Sequence, residues 1–195
     1  AALQSVVLLK NDHRILPLSA HRLRSVAVIG PMADAPYEQL GTWIFDGDTE
    51  LSVTPLQAIR SLVGDEIEIR HVQAMETSRS KRNPAFDEAA EAAGSSDAAI
   101  LFLGEESILS GEAHSRANID LPGDQAELIR RVRAAGRPVV AVIIFGALTV
   151  FFGAYSVITI HDTYFKWGRM WQTPAVRPHE DPILIMDEED RKSVV

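Results

Sequence analysis

Three compact apolar runs constrain this chain more than any other feature: SVAVIG (Ser25–Gly30), DAAILFLG (Asp97–Gly104) and PVVAVIIF (Pro138–Phe145). None shows the polar–apolar alternation of a strand with one wet face. Each therefore reads as a strand buried on both sides of a sheet. A fourth run, EIEIRHV (Glu66–Val72), does alternate and reads as a strand nearer an edge, and SVITI (Ser156–Ile160) is a further strand candidate.

Helical patterns separate these runs. Thr54 is placed to cap a helix with Pro55 at its first position, Leu56, Ile59 and Val63 on one face and Gly64 as its stop. Asn83-Pro84 opens a second helix through Ala93, with Phe86, Ala89, Ala90 and Ala93 on its apolar face. Pro122 is expected to start a third, with Leu128, Ile129, Val132 and Ala135 facing inward and Gly136 ending it. At the N-terminus, Lys10 and Asn11 are expected to end a first helix. Strands separated by helices imply right-handed crossovers and a sheet covered on both faces. The expected fold is an α/β three-layer sandwich with a mostly parallel sheet flanked by helices and an atypical C-terminal part. Its domain spans residues 1–160, with 161–195 as a separate tail.

Composition narrows the function classes. The chain carries 27 acidic and 19 basic residues, for a formal charge of −8, which argues against a nucleic-acid partner. It has no cysteine, which removes disulfides, thiolate metal sites and thiol nucleophiles. The apolar stretch from Pro138 to Ile160 is interrupted by Gly146, Thr149, Gly153, Tyr155 and Ser156, so no membrane-spanning helix is read there. The opening residues AALQSVVLLKND lack a basic n-region and an A-x-A-like cleavage site, so no signal peptide is expected in them. No G-x-G-x-x-G, P-loop lysine, H-E-x-x-H or G-x-S-x-G is present, and the six histidines lack ligand spacing. No cofactor and no metal are expected. The Asp46-Gly47-Asp48 segment lacks the alternation of a calcium loop.

Two long connections break the α/β rhythm, residues 31–53 and 105–121. Both follow strands of the sheet, so they emerge on the same side, where α/β sheets bind ligands. The second loop holds Glu105, Glu106, Glu112, His114, Arg116 and Asp120. A carboxylate on the flexible Ser110-Gly111-Glu112 segment suits general acid/base work. The alternative is an acidic surface loop whose Arg116 pairs with a carboxylate. The first loop sets Trp43 and Phe45 ahead of Asp46 and Asp48. Aromatic faces stack on sugar rings while carboxylates take up hydroxyls, though Trp43 plugging the sheet end explains the pattern equally well.

Seven segments in order carry a resemblance: SVVLLKND, VAVIGPMAD, LGTWIFDGD, SVTPLQAI, ILFLGEESILSGEAHSR, IDLPGDQAELI and GRPVVAVI. Together, over roughly residues 3–146, they resemble the C-terminal α/β sandwich domain of glycoside hydrolase family 3, bacterial β-glucosidases in particular. The resemblance implies retaining hydrolysis of a β-glucoside or related oligosaccharide by two carboxylates from two domains. It makes Glu112 the acid/base, Trp43 and Phe45 substrate contacts, and His114 and Arg116 holders of the acid/base loop. The family's nucleophilic Asp belongs to a barrel domain, and no Asp here matches it. These residues are thus expected to hold one half of an active site, completed by a barrel-domain partner, by a neighbouring subunit, or by Asp46, Asp48 or Asp120. Periplasmic, secreted and cytoplasmic locations all remain open.

Two other function classes stand beside this one. The first is a non-catalytic carbohydrate-binding module that keeps the sugar-facing loops. The second is an assembly protein, a homodimer formed through the altered C-terminal segment. The family pattern stops near Phe145-Gly146, so an apolar sheet edge beyond Val139–Phe145 needs a cover. Phe151, Phe152, Tyr155, Val157, Ile158, Trp167 and Trp171 are the side chains available for it.

Overall fold

A computed structural model describes residues 6–11, 14–42, 44, 46–81, 84–111, 114, 118, 120–145 and 155–158. Six strands form one sheet: β1 (Val6–Leu8), β2 (Ser25–Ile29), β3 (Glu68–Val72), β4 (Ala98–Gly104), β5 (Val139–Phe145) and β6 (Tyr155–Ile158). Four helices accompany them: α1 (Pro36–Leu40), α2 (Pro55–Val63), α3 (Phe86–Gly94) and α4 (Gln125–Ala134). The order across the sheet is β1-β6-β5-β4-β2-β3. Strands β3, β2, β4 and β5 run parallel, as the expected crossovers require.

Alternation along the central strands sends side chains into two cores. Val26, Val28, Ile100, Phe102, Val140 and Val142 meet Leu56 and Ile59 of α2 on one face. Ala27, Ile29, Leu101, Leu103, Ala141 and Ile143 meet Phe86, Ala89 and Ala93 of α3 and Leu128 and Val132 of α4 on the other. This is the expected three-layer sandwich. Leu101, Leu103 and Leu128 are fully buried, each contributing about 1.5–3 kcal/mol of burial energy. Helix α2 starts as its sequence predicts: the Thr54 hydroxyl accepts from Gln57 N at 3.2 Å, and Thr54 N donates to the Gln57 side chain at 3.1 Å. That reciprocal pair satisfies two donors that the first helical turn leaves open.

Two expectations are corrected. Where a first helix was expected to run up to Lys10, Val6–Leu8 is a strand, pairing parallel with β6. Two adjacent β-branched valines favour that extended backbone. Pro122 opens a turn rather than a helix, and α4 begins at Gln125. Gly123 between them has φ +60, which a helix cannot continue through. The edge of β5 has the cover expected of it, and has it within the chain. Strand β6 covers it antiparallel, Ile143 opposite Val157 and Phe145 opposite Tyr155. Only nine residues separate Phe145 from Tyr155, fewer than a parallel crossover needs. Of the proposed covering residues, Tyr155, Val157 and Ile158 lie on β6, while Phe151, Phe152, Trp167 and Trp171, like all of 161–195, lie outside the described residues. No described helix is long and apolar enough to cross a membrane.

Candidate functional site

The two long loops do meet at the carboxyl end of the parallel strands. The first contains α1 and a 3-10 turn at Thr49–Leu51, and the second opens with a 3-10 turn at Ser107–Leu109. The Thr42 hydroxyl donates to Ser107 O at 2.9 Å, and Ser107 N donates to the Glu38 carboxylate at 2.5 Å. Ser110 lies in the same knot. Its hydroxyl donates to Ser107 O at 3.0 Å and pairs closely with that of Thr42. Four polar groups from residues 38–42 and 107–110 therefore fix the second loop immediately before Gly111.

Of the acidic residues in the second loop, Glu105 and Glu106 serve its footing. Glu105 is buried, and its backbone N–H donates to Ile144 O at 2.9 Å, extending the β4–β5 pairing by one residue. The Glu106 carboxylate accepts from the buried Ser78 hydroxyl at 2.6 Å and from Arg79 Nε at 3.0 Å. That cation is half exposed, so the ion pair contributes on the order of 1 kcal/mol or less; the buried hydroxyl fixes the carboxylate's position.

His114 is exposed, with its backbone N–H donating to Gly111 O at 3.1 Å. Glu112 itself, Arg116, Trp43 and Phe45 lie outside the described residues. Asp46 and Asp120 are exposed. Asp48 is exposed too, and its carboxylate accepts from Glu50 N at 2.9 Å, capping the Thr49–Leu51 turn. Among the described residues, no three His, Asp or Glu side chains converge as a metal group.

Sequence reasoning gave no role to Glu38, Thr42, Ser78 or Gln125, all of which hold these loops. Their polar groups bind backbone or a neighbouring loop, and no local spacing announces such long-range partners. Gln125 is the most deeply placed, fully buried at the first position of α4.

Comparison with known proteins agrees with this architecture. The family model of the glycosyl hydrolase family 3 C-terminal domain matches residues 6–155, extending past the roughly 3–146 range of the resemblance described above. A beta-xylosidase of Formosa agariphila is 32% identical over 167 residues, covering 83% of this chain and 23% of its own length. A periplasmic beta-glucosidase of Salmonella typhimurium is 34% identical, covering 74% of this chain and 21% of its own. Among solved structures, a beta-glucosidase from Listeria innocua in complex with glucose superposes with a TM-score of 0.59 at 31% identity, over 70% of this chain and 18% of that one. The chain thus spans about a fifth of the length of the proteins it matches.

Proposed function

The chain belongs to glycosyl hydrolase family 3 as a C-terminal domain, and on that premise we propose that it supplies the acid/base half of a retaining β-glycosidase. Glu112 is the acid/base. It protonates the glycosidic oxygen as the leaving group departs, then takes a proton from the water that releases the sugar. The nucleophilic carboxylate comes from a barrel domain outside these 195 residues, about 5–5.5 Å from Glu112 in the assembled site. Trp43 and Phe45 wall the aglycone side, and His114 and Arg116 hold the acid/base loop.

The observation that carries this reading is the knot of Glu38, Thr42, Ser107 and Ser110. It anchors Ser107 and Ser110, just ahead of Glu112 in sequence, to Glu38 and Thr42, just ahead of Trp43 and Phe45 in sequence, which supports reading the two loops as parts of one site. Such pre-set geometry is what acid/base transfer requires. Docking against a barrel domain is supported by the rim itself. Tyr37 of α1, Leu51, Val53 and Ile108 are all exposed apolar side chains on or beside the elements of these loops, and exposed apolar surface of this kind marks interaction sites.

The substrate is a β-glucoside or a related β-linked oligosaccharide. The test joins this chain to the barrel domain of a relative and assays aryl β-glucosides and β-xylosides. Wild type should turn over substrate and Glu112→Gln should lose most of its rate on poor leaving groups. Equal rates in both would remove Glu112 from the mechanism. Trp43→Ala should raise KM for aryl substrates more than it lowers kcat.

A further inference from the structure

Strand β4 outruns its neighbour. The pairing of β2 with β4 ends at Ile29 opposite Leu101, yet β4 continues to Gly104. Glu105 N turns toward β5, so by strand alternation the N–H and C=O of Gly104 turn the other way, where β2 has ended. Two backbone groups are left there without a strand to pair with.

The carboxamide of Gln125 takes the place of that strand. Gly104 N donates to Gln125 Oε1 at 2.8 Å, and Gln125 Nε2 donates to Gly104 O at 2.8 Å. This is the two-way exchange a peptide group would make. Pro122 O at 3.1 Å and Ser78 O at 3.0 Å also lie around the same Nε2, so its two hydrogens are shared among three carbonyl acceptors. Gly104 and Pro122 are the two stems of the 105–121 loop, and Ser78 belongs to the loop that grips Glu106. One fully buried side chain therefore ties both ends of the acid/base loop to each other and to the neighbouring connection.

The glycines around it show how closely these parts fit. A Cβ at Gly123 would stand 2.6 Å from Ser80 O and 2.7 Å from Ser78 O, so the turn after Pro122 lies directly on the 78–80 backbone. Only glycine allows both that approach and its φ of +60.

We propose that Gln125 is a positioning residue for the acid/base loop, acting as a clamp on its two stems rather than as general core packing. Its consequence for catalysis rests on the reading of Glu112 above, but the clamp itself is tested without any assay of activity. A clamp that fails and a Glu112 that is not catalytic are thus separate outcomes.

The experiment is amide hydrogen exchange on the chain, comparing Gln125→Met with Leu128→Ala. The methionine keeps the length and loses every hydrogen bond. Leu128→Ala cuts a core residue on the same helix and leaves the carboxamide in place. Loop reporters are the hydrogen-bonded amides of Ser107, Leu109 and Ser110, and sheet reporters are those of β4 and β5. The clamp predicts that Gln125→Met speeds loop exchange relative to sheet exchange by at least about tenfold, while Leu128→Ala leaves the ratio unchanged. Equal ratios in the two variants would overturn it. Should Gln125→Met not fold, the wild-type carboxamide protons answer the same question. They should be slow to exchange and open together with Gly104 N–H; free exchange with water at native conditions would overturn the clamp.

Discussion

The hydroxyl of Thr42 donates to the backbone carbonyl of Ser107 at 2.9 Å, joining two loops that lie 65 residues apart in the chain. Each loop follows a parallel strand, and each is long enough to wander unless something fixes it. The bond places the residues ahead of Glu112 in fixed relation to those ahead of Trp43.

Thr42→Val tests that relation. The substitution keeps the branched shape and removes the hydroxyl, leaving Ser107 O with the Ser110 hydroxyl as its remaining side-chain donor. Stability to urea should fall by about 0.5–1.5 kcal/mol. Amide exchange at Ser110 should rise while that of the central strands changes only with global stability. An unaltered Ser110 would show that the loops hold their places independently.

Gly104→Ala tests the stem of the second loop. A Cβ at this position would lie 1.8 Å from Ile144 O, and the residue's φ is +140, a backbone conformation costly for any L side chain. Backbone cannot yield as a side-chain tip can, so the loss should exceed about 3 kcal/mol, large enough to deplete folded protein. Chemical denaturation, or the soluble yield, reads this. A variant within about 1 kcal/mol of wild type would mean that the strand end relaxes freely.

The parts of the fold legible in sequence were those where one residue's type decides its own environment. Continuous apolar runs such as Ala98–Leu103 read as buried on both faces, and Thr54 followed by Pro55 reads as a helix start. Errors arose where a partner far along the chain decided instead. Val6–Leu8 is a strand because β6 lies beside it, and residues 122–124 form a turn because Gly123 lies against Ser78 and Ser80. The candidate site divides the same way. Glu112 and its neighbours stood out as a motif, whereas Glu38, Thr42 and Gln125 are ordinary polar residues whose work is visible only once the backbone they hold is in place.

His71 gives the fold a pH dependence. It sits on β3 opposite Val28, and its pKa is lowered, first by burial and further by Arg60, against an opposing pull from Asp34. The native state therefore favours neutral imidazole, while the unfolded chain protonates near the ordinary histidine value of about 6.5. Below that value the unfolded state binds more protons. Stability should thus be intact above it and decline as pH falls toward the lowered native pKa. Urea midpoints at about pH 7.5 and about pH 5 should differ in wild type and differ less in His71→Leu. The same slope in both would assign the effect to groups other than His71; Asp97, whose pKa is lowered by hydrogen bonds from Arg24 N and Ser25 N, loses its contribution only in the more acidic carboxylate range.

The central claim, that Glu112 is the acid/base, is tested most directly by the leaving-group dependence of Glu112→Gln in the chain joined to a barrel domain. A dinitrophenyl glycoside needs no protonation to leave, whereas an alkyl or phenyl glycoside does. If Glu112 is the acid/base, the variant should form the glycosyl-enzyme at near wild-type speed from the activated substrate, accumulate it, and be slower by about 10²–10⁴-fold on the unactivated one. A uniform loss on both substrates, or none on either, would contradict the account.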